Sequence, residues 1–319
     1  MKVGFIGAGG ITEAHARALK RLPGVEIAAW ASRSGESAAE KARRYGGEAM
    51  ELLALLDRTD IQAVLICTPT SLHKEHVLQA LQAGKKVFCE KPLARSLSQA
   101  RDIIAQGEGH IYVGHVLRFF HEYSRARKII QRGDLGEIQR IVCRRLNCPP
   151  GGSQGWFDNP EQSGGVVLDL LIHDFDWLLW TLGGPRQVEV IPHPEKDASG
   201  WRYAVARLHW DNHTTAEVEG SWMHDHFEHY LYAKGEKGYL RFDMRQPDKL
   251  TLFVEDYKKE IPLKGLPDPY EIQMAHFIGW LQGLNPPIVT LQEAQKALVL
   301  ALQVLEAQSR KFPKASPSS

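Results

Sequence analysis

Lys2-Val3-Gly4-Phe5-Ile6-Gly7-Ala8-Gly9-Gly10-Ile11-Thr12 decides the fold of this 319-residue chain. A short apolar run leads straight into a glycine cluster, and a helical pattern opens at Ile11. Strand, tight turn and helix N-terminus, in that order, form the phosphate-binding corner of a doubly wound parallel sheet. Gly7 serves the tight turn, and Gly9 lets the backbone approach a pyrophosphate. Amides around Gly10 and Ile11, at the helix start, face the anion. Thr12 stands where the third glycine of the fingerprint falls, which predicts somewhat looser packing of helix on strand.

The pattern continues outward. Val25–Ala31, Ile61–Cys67, Lys86–Cys89 and His110–Val113 read as strands. Between them Ser37–Tyr45, Leu72–Ala83 (stopped by Gly84) and Ser96–Gln106 read as helices. Strands alternating with helices predict a parallel sheet. Beyond residue 120 the texture changes. Glu122–Gln131 is helical, and Ile138–Arg145, Tyr203–Trp210, Thr214–Trp222, His229–Ala233, Tyr239–Phe242 and Leu250–Val254 read as strands. Several alternate polar and apolar residues, so a largely antiparallel sheet with one covered face is expected. Gly165–Leu182 is a long apolar helix, and Tyr270–Leu284 and Gln292–Lys311 are amphipathic ones. The tail Phe312–Ser319 is expected to fray. The expected organisation is a dinucleotide-binding domain over residues 1–120 and a second α/β domain over 121–319.

Composition narrows the function. The chain has 39 Lys and Arg against 38 Asp and Glu, a formal net charge of +1. It therefore lacks the basic excess that a nucleic-acid partner requires. No apolar run approaches the ~20 residues of a membrane helix. Glycines break the N-terminal apolar stretch too early for a signal peptide. Cys67, Cys89, Cys143 and Cys148 show no C-x-x-C spacing. Small buried thiols in a reduced, cytoplasmic protein are the expectation.

The second strand ends in Ser32-Arg33, about where an NAD-preferring site places an acidic residue on the ribose. A hydroxyl and a guanidinium suit a 2′-phosphate, which favours NADP over NAD. Thr68-Pro69-Thr70, with His73 after it, and Glu90-Lys91-Pro92 follow two further strands. Such carboxyl ends are where doubly wound sheets bind ligands. Pro92 holds Lys91 extended, so Glu90 and Lys91 point opposite ways and one of them can face the crevice.

In the apolar helix, Asp169, His173 and Asp176 fall on one stripe at ~100° per residue, with Asp174 off it. Buried carboxylates and imidazoles cost several kcal/mol unless paired or used. Asp169 and His173 lie four apart, and a carboxylate beside an imidazole sets its tautomer and raises its basicity, as a general base requires. Read as a strand, Met223–His229 puts His224 and His226 on one face and His229 on the other, so no metal site is expected. Trp201, Trp210 and Trp222 read as core or interface.

Together, in order, the glycine turn, Thr68-Pro69-Thr70 with His73, Glu90-Lys91-Pro92, the Asp169-x-x-x-His173 helix and the turn Gly235-Glu236-Lys237-Gly238 resemble the Gfo/Idh/MocA oxidoreductases over residues 1 to about 311. The resemblance implies a Rossmann domain followed by an α/β domain whose large open sheet packs on its counterpart in a homodimer or homotetramer. It also implies that Lys91 binds the reacting hydroxyl and approaches the nicotinamide, and that His173 is the general acid/base with Asp169 as its partner. Arg118 and Tyr270 join the substrate pocket as weaker candidates.

The expected activity is hydride transfer between NADP or NAD and a hydroxyl or carbonyl carbon of a sugar, inositol or related polyol. A glycosidase using transient oxidation by bound NAD is one alternative. A cofactor-sensing protein without turnover is another, against which the joint presence of Lys91, Asp169 and His173 argues.

Overall fold

The computed structural model describes residues 1–151, 153–193 and 201–311. The tail 312–319 and residue 152 of the Pro149–Pro160 loop lie outside the described residues. Two compact units form, and neither is continuous in sequence. One comprises Met1–Phe119, Gly152–Trp156 and Pro267–Leu298; the other comprises Phe120–Gly151, Phe157–Leu266 and Val299–Ser319.

In the first unit six strands are β1 (Lys2–Ile6), β2 (Glu26–Ala31), β3 (Glu48–Ala49), β4 (Ala63–Ile66), β5 (Lys86–Glu90) and β6 (Ile111–Gly114). They pair in parallel in the order β3-β2-β1-β4-β5-β6. Val3, Phe5, Val64, Leu65, Val87, Phe88 and Val113 are wholly buried, as expected of strands covered on both faces. Helices α1 (Ile11–Lys20), α2 (Gly35–Tyr45), α3 (Leu52–Asp57), α4 (His73–Gln82) and α5 (Leu97–Gly107) lie between the strands. β3 and α3 had no counterpart in the sequence reading, because two residues and a single short turn are below the length at which periodicity shows. Ser34 and Ser96 cap α2 and α5, accepting the amides of Ser37 and Gln99 at 3.3 Å.

The second unit holds an eight-stranded sheet. Its strands are β7 (Ile138–Leu146), β8 (Gln187–Ile191), β9 (Tyr203–His209), β10 (Thr215–Ser221), β11 (Glu228–Gly235), β12 (Gly238–Asp243), β13 (Lys249–Val254) and β14 (Tyr257–Pro262). The order is β14-β13-β12-β11-β7-β10-β9-β8, antiparallel throughout except for the parallel pair β7–β10. Leu231, Ala233, Leu240, Leu250, Ala216 and Val218 are wholly buried, while Tyr230, Tyr232, Tyr239 and Phe253 alternate with them and stay half-exposed. That alternation is the period of a sheet covered on one face. Among the described residues no helix is long and apolar enough to cross a membrane.

Several expectations are corrected. Cys148 is exposed, whereas Cys67, Cys89 and Cys143 are buried. His224 and His226 lie in a loop before β11, not on a strand, and His226 is 2.7 Å from Glu228. His229 turns into the core, 2.8 Å from Glu122. The segment Gly165–Leu182 is not a uniform α-helix: Val167–Leu171 is a π-turn and the α-helix spans Ile172–Leu182.

Candidate active site

Gly7 has φ +106°, and a Cβ there would stand 2.5 Å from the carbonyl oxygen of Cys67. Only glycine allows β1 to turn beside the end of β4. The Gly7 amide donates to Ala31 O at 2.8 Å, tying the turn to the tip of β2. Around Gly9 and Gly10 there is open space: nothing lies within 4 Å of a Cβ built at either. Gly10 caps α1. This is a cradle with an unobstructed face at a helix N-terminus, and it fits a dinucleotide pyrophosphate. Thr12 departs from the looser packing expected. It is fully buried, and its hydroxyl donates to Gly9 O at 2.5 Å, so it braces the turn.

At the tip of β2, Ser32 is half-buried and Arg33 exposed. At the tip of β4, Thr68 and Pro69 are half-buried and Thr70 is buried. The Thr68 hydroxyl lies 3.1 Å from His76 Nδ1, and burial holds the His76 pKa below its ordinary value. His73 is buried, with Nδ1 2.8 Å from Pro92 O and Nε2 3.0 Å from Thr68 O. Both ring nitrogens thus meet backbone carbonyls, and His73 links the tip of β4 to that of β5. Burial lowers its pKa against the pull of those carbonyls.

Glu90 closes β5 and is 7 % exposed, while Lys91 is half-buried. One Glu90 oxygen lies 2.6 Å from His15 Nε2, and the other accepts the Lys91 amide at 3.0 Å. Burial raises the Glu90 pKa, but the His15 contact and the nearby Lys91 charge outweigh it and hold the carboxyl below its ordinary value. Tyr270, in the first turn of the helix Pro269–Leu281, packs edge-on to His15 at 5.7 Å. An Arg21–Glu271 ion pair ties that helix to α1. The first unit therefore gathers the glycine turn, Thr68-Pro69-Thr70, Glu90-Lys91-Pro92 and Tyr270.

Arg118 is not turned toward solvent. It is 3 % exposed and donates to Ile288 O at 2.9 Å and to Glu293 at 3.2 Å. Sequence reasoning missed His15 altogether. Its only signal is a place on the inward stripe of α1 with Thr12 and Leu19, where an imidazole reads as core.

In the second unit, Gly164 and Gly165, with φ +73° and +64°, turn the chain into the Asp169 segment. A Cβ on Gly220 of β10 would stand 2.5 Å from Leu171, so that glycine lets the π-turn lie close on the sheet. Asp169 and His173 are both half-buried, whereas Asp176 is 1 % exposed. The i→i+5 winding of the π-turn takes in extra residues, so the single stripe computed at α-helical pitch does not run unbroken to Asp176. Asp174 faces elsewhere, as expected. Wholly buried, it accepts two hydrogen bonds from Arg145, at 3.0 and 3.1 Å, and one from the Tyr123 hydroxyl at 3.1 Å. Burial works against the Arg145 charge, yet Asp174 holds its pKa above the ordinary value. Trp177 adds a bond to Tyr123 O at 3.0 Å. The residues flanking His173 are thus locked to β7 and to the helix His121–Gln131. Among the described residues no three or more His, Cys, Asp or Glu side chains gather to hold a metal ion.

Known protein families match the chain in two stretches. Residues 1–111 match the model of an oxidoreductase family with an NAD-binding Rossmann fold, and residues 123–241 match the GFO/IDH/MocA C-terminal domain. The 1,5-anhydro-D-fructose reductase of Ensifer adhaerens is 30% identical over 95% of this chain and 95% of that protein. Inositol 2-dehydrogenase of Rhizobium meliloti (strain 1021) is 32% identical over 57% of this chain and 55% of that protein. The structure of a putative myo-inositol dehydrogenase from Sinorhizobium meliloti 1021 shares the fold with a TM-score of 0.80, at 24% identity over 98% of each chain. With a nicotinamide-dinucleotide cradle in its first unit and both family domains matched in order, the chain belongs to the Gfo/Idh/MocA oxidoreductases.

Proposed function

We propose that this oxidoreductase interconverts a CH–OH and a C=O carbon of a sugar, inositol or related polyol. The observation that carries the reading is a row of three adjacent strand tips, β1, β4 and β5. They bear the open glycine turn, Thr68-Pro69-Thr70, and a Lys91 whose amide is held by a buried carboxylate. Gly7, Gly9, Gly10 and Ile11 would hold the pyrophosphate, with Thr68, Pro69, Thr70, Glu90 and Lys91 bordering the rest of the dinucleotide and His73 shaping that border. When bound, the nicotinamide supplies the hydride acceptor or donor.

The chain's own groups do the remainder. Lys91 binds and polarises the substrate oxygen. His173 takes the hydroxyl proton in the oxidising direction and returns it in reduction, and Asp169 orients its ring. Tyr270, which packs on His15, and the buried Arg118 are the weaker candidates for the substrate pocket. Ser32 and Arg33, with no acidic residue at the tip of β2, favour NADP over NAD. The half-exposed aromatic face of the eight-stranded sheet receives a second copy in a homodimer or homotetramer.

The test is calorimetric titration with NADP and NAD, followed by a panel of sugars and polyols read by absorbance of the reduced nicotinamide. Dinucleotide binding with turnover of a polyol is the expected result. Glycoside hydrolysis without accumulation of reduced cofactor, or binding without any turnover, overturns it.

A further inference from the structure

We infer that His15 is a positioning residue for Lys91, acting through the Glu90 carboxylate. The inference deepens the proposed function, since it rests on Lys91 meeting the substrate oxygen. Three observations in the first unit carry it.

The first is the path of hydrogen bonds. His15 Nε2 is 2.6 Å from one Glu90 oxygen, and the other oxygen accepts the Lys91 amide at 3.0 Å. Both oxygens of the carboxylate are therefore used, one anchored to α1 and one holding the peptide that carries the amine. Beyond Lys91, Pro92 O meets His73 Nδ1 at 2.8 Å. Lys91 is the one residue of the three whose side chain is half-exposed, between two neighbours buried and clasped on either side.

The second is that the His15 ring has one polar task. Its side chain is wholly buried, and Nδ1 has no hydrogen-bond partner among the described residues. Phe88 packs edge-on at 5.0 Å and Tyr270 at 5.7 Å. The imidazole is thus enclosed by aromatic rings, and its hydrogen bonding is directed wholly at Glu90. Facing a carboxylate, which can only accept, Nε2 is the hydrogen-bond donor of this pair.

The third is the sense of the charges. A carboxylate at the buried end of a strand is costly unless it is paired. His15 supplies the donor and the Lys91 ammonium the opposite charge, and the Glu90 carboxyl accordingly stays ionised. Loss of His15 leaves one oxygen of that carboxylate without its buried donor, free to reorient and shift the Lys91 amide held by the other. A reacting group displaced by ~1 Å can lose ~100-fold in rate.

The test compares His15→Leu, which fills the space without a donor, with His15→Gln, whose amide can donate to Glu90. In the full chain, kcat of His15→Leu is expected to fall at least ~10-fold, with dinucleotide affinity and polyol KM within about twofold of wild type. The primary deuterium isotope effect on kcat is expected to rise, because hydride transfer becomes slower relative to product release. His15→Gln is expected to recover most of both. Packing damage alone would weaken dinucleotide binding and KM as well, and the amide would not rescue it.

Should the wild-type protein turn over no polyol, the proposed function fails. The His15 inference is then read from reductive methylation of the Lys91 amine by formaldehyde and cyanoborohydride, followed by mass spectrometry. A Lys91 rate changed by more than about threefold in His15→Leu and restored in His15→Gln supports positioning. Should His15→Leu fail to fold, the same two readings are made on His15→Met, which also fills the buried space without a donor. A wild-type kcat, isotope effect and Lys91 labelling rate in the variant overturn the inference.

Discussion

At the scale of single residues, the proposed chemistry rests on a few side chains whose surroundings differ in kind. Lys91 sits beside a paired carboxylate at a strand tip, whereas His173 sits half-buried on a helix beginning in a π-turn. Replacing either by Ala is expected to lower turnover more than ~100-fold while dinucleotide affinity, measured by fluorescence quenching, is retained. Arg33 is exposed, so its effect should be confined to the cofactor. Arg33→Ala is expected to weaken NADP binding by about tenfold and leave NAD nearly unchanged, as checked by calorimetry with each dinucleotide. As candidates, Asp169 and His173 were legible because charge in an apolar helix stands out, and Lys91 because it follows a strand and precedes a proline. His15 was not: one imidazole on an inward helical stripe looks the same in sequence whether it fills space or holds a carboxylate.

At the scale of elements, two short-range devices set the candidate acid/base helix. Gly220 clears space for Leu171, and the Asp174–Arg145–Tyr123 cluster fastens the helix to β7 and to the helix His121–Gln131. Because both ions of the pair are buried, removing one leaves the other uncompensated. Asp174→Ala is expected to lower stability by about 3–5 kcal/mol in urea denaturation. The sequence showed an apolar helix here but not its π-turn. Val167-Leu168-Asp169-Leu170-Leu171 suits either winding, and close packing on Gly220 accompanies the wider one. Strands β4, β5 and β6 were legible as continuous apolar runs, since burial on both faces removes alternation.

For the whole molecule, three imidazoles held from water to different degrees contribute to the response to acid. Burial holds His73, His76 and His276 below the ordinary imidazole range. The unfolded chain therefore binds more protons than the folded one as pH falls below ~6.5. The stability these groups contribute is fully present above that pH and is lost as pH drops through their lowered folded values. Glu13 and Glu90, held below the ordinary carboxylate range by the Lys41 hydrogen bond and, against burial, by His15, extend the loss below ~4.3. Urea midpoints should fall steadily from pH 7.5 to pH 5, and His73→Gln should flatten that slope, within about 1 kcal/mol per unit of pH. Association is expected to use the half-exposed Tyr230, Tyr232, Tyr239 and Phe253. Tyr232→Arg should shift the oligomer toward monomer in sedimentation equilibrium, since a charge there must be desolvated in any packed interface.

By itself the sequence determined that a dinucleotide cradle opens the chain, that a parallel sheet gives way to a mostly antiparallel one, and which charged side chains are candidates for chemistry. These are local properties: a turn that only glycine can make, the period of a strand, charge within an apolar run. The tertiary structure alone decided that Pro267–Leu298 belongs to the first unit, that Asp169 lies in a π-turn, and that Glu90 is paired with His15. An amphipathic segment states that it must bury a face but not against what. A buried hydrogen bond between residues 75 apart exists only once the sheet has brought their elements together.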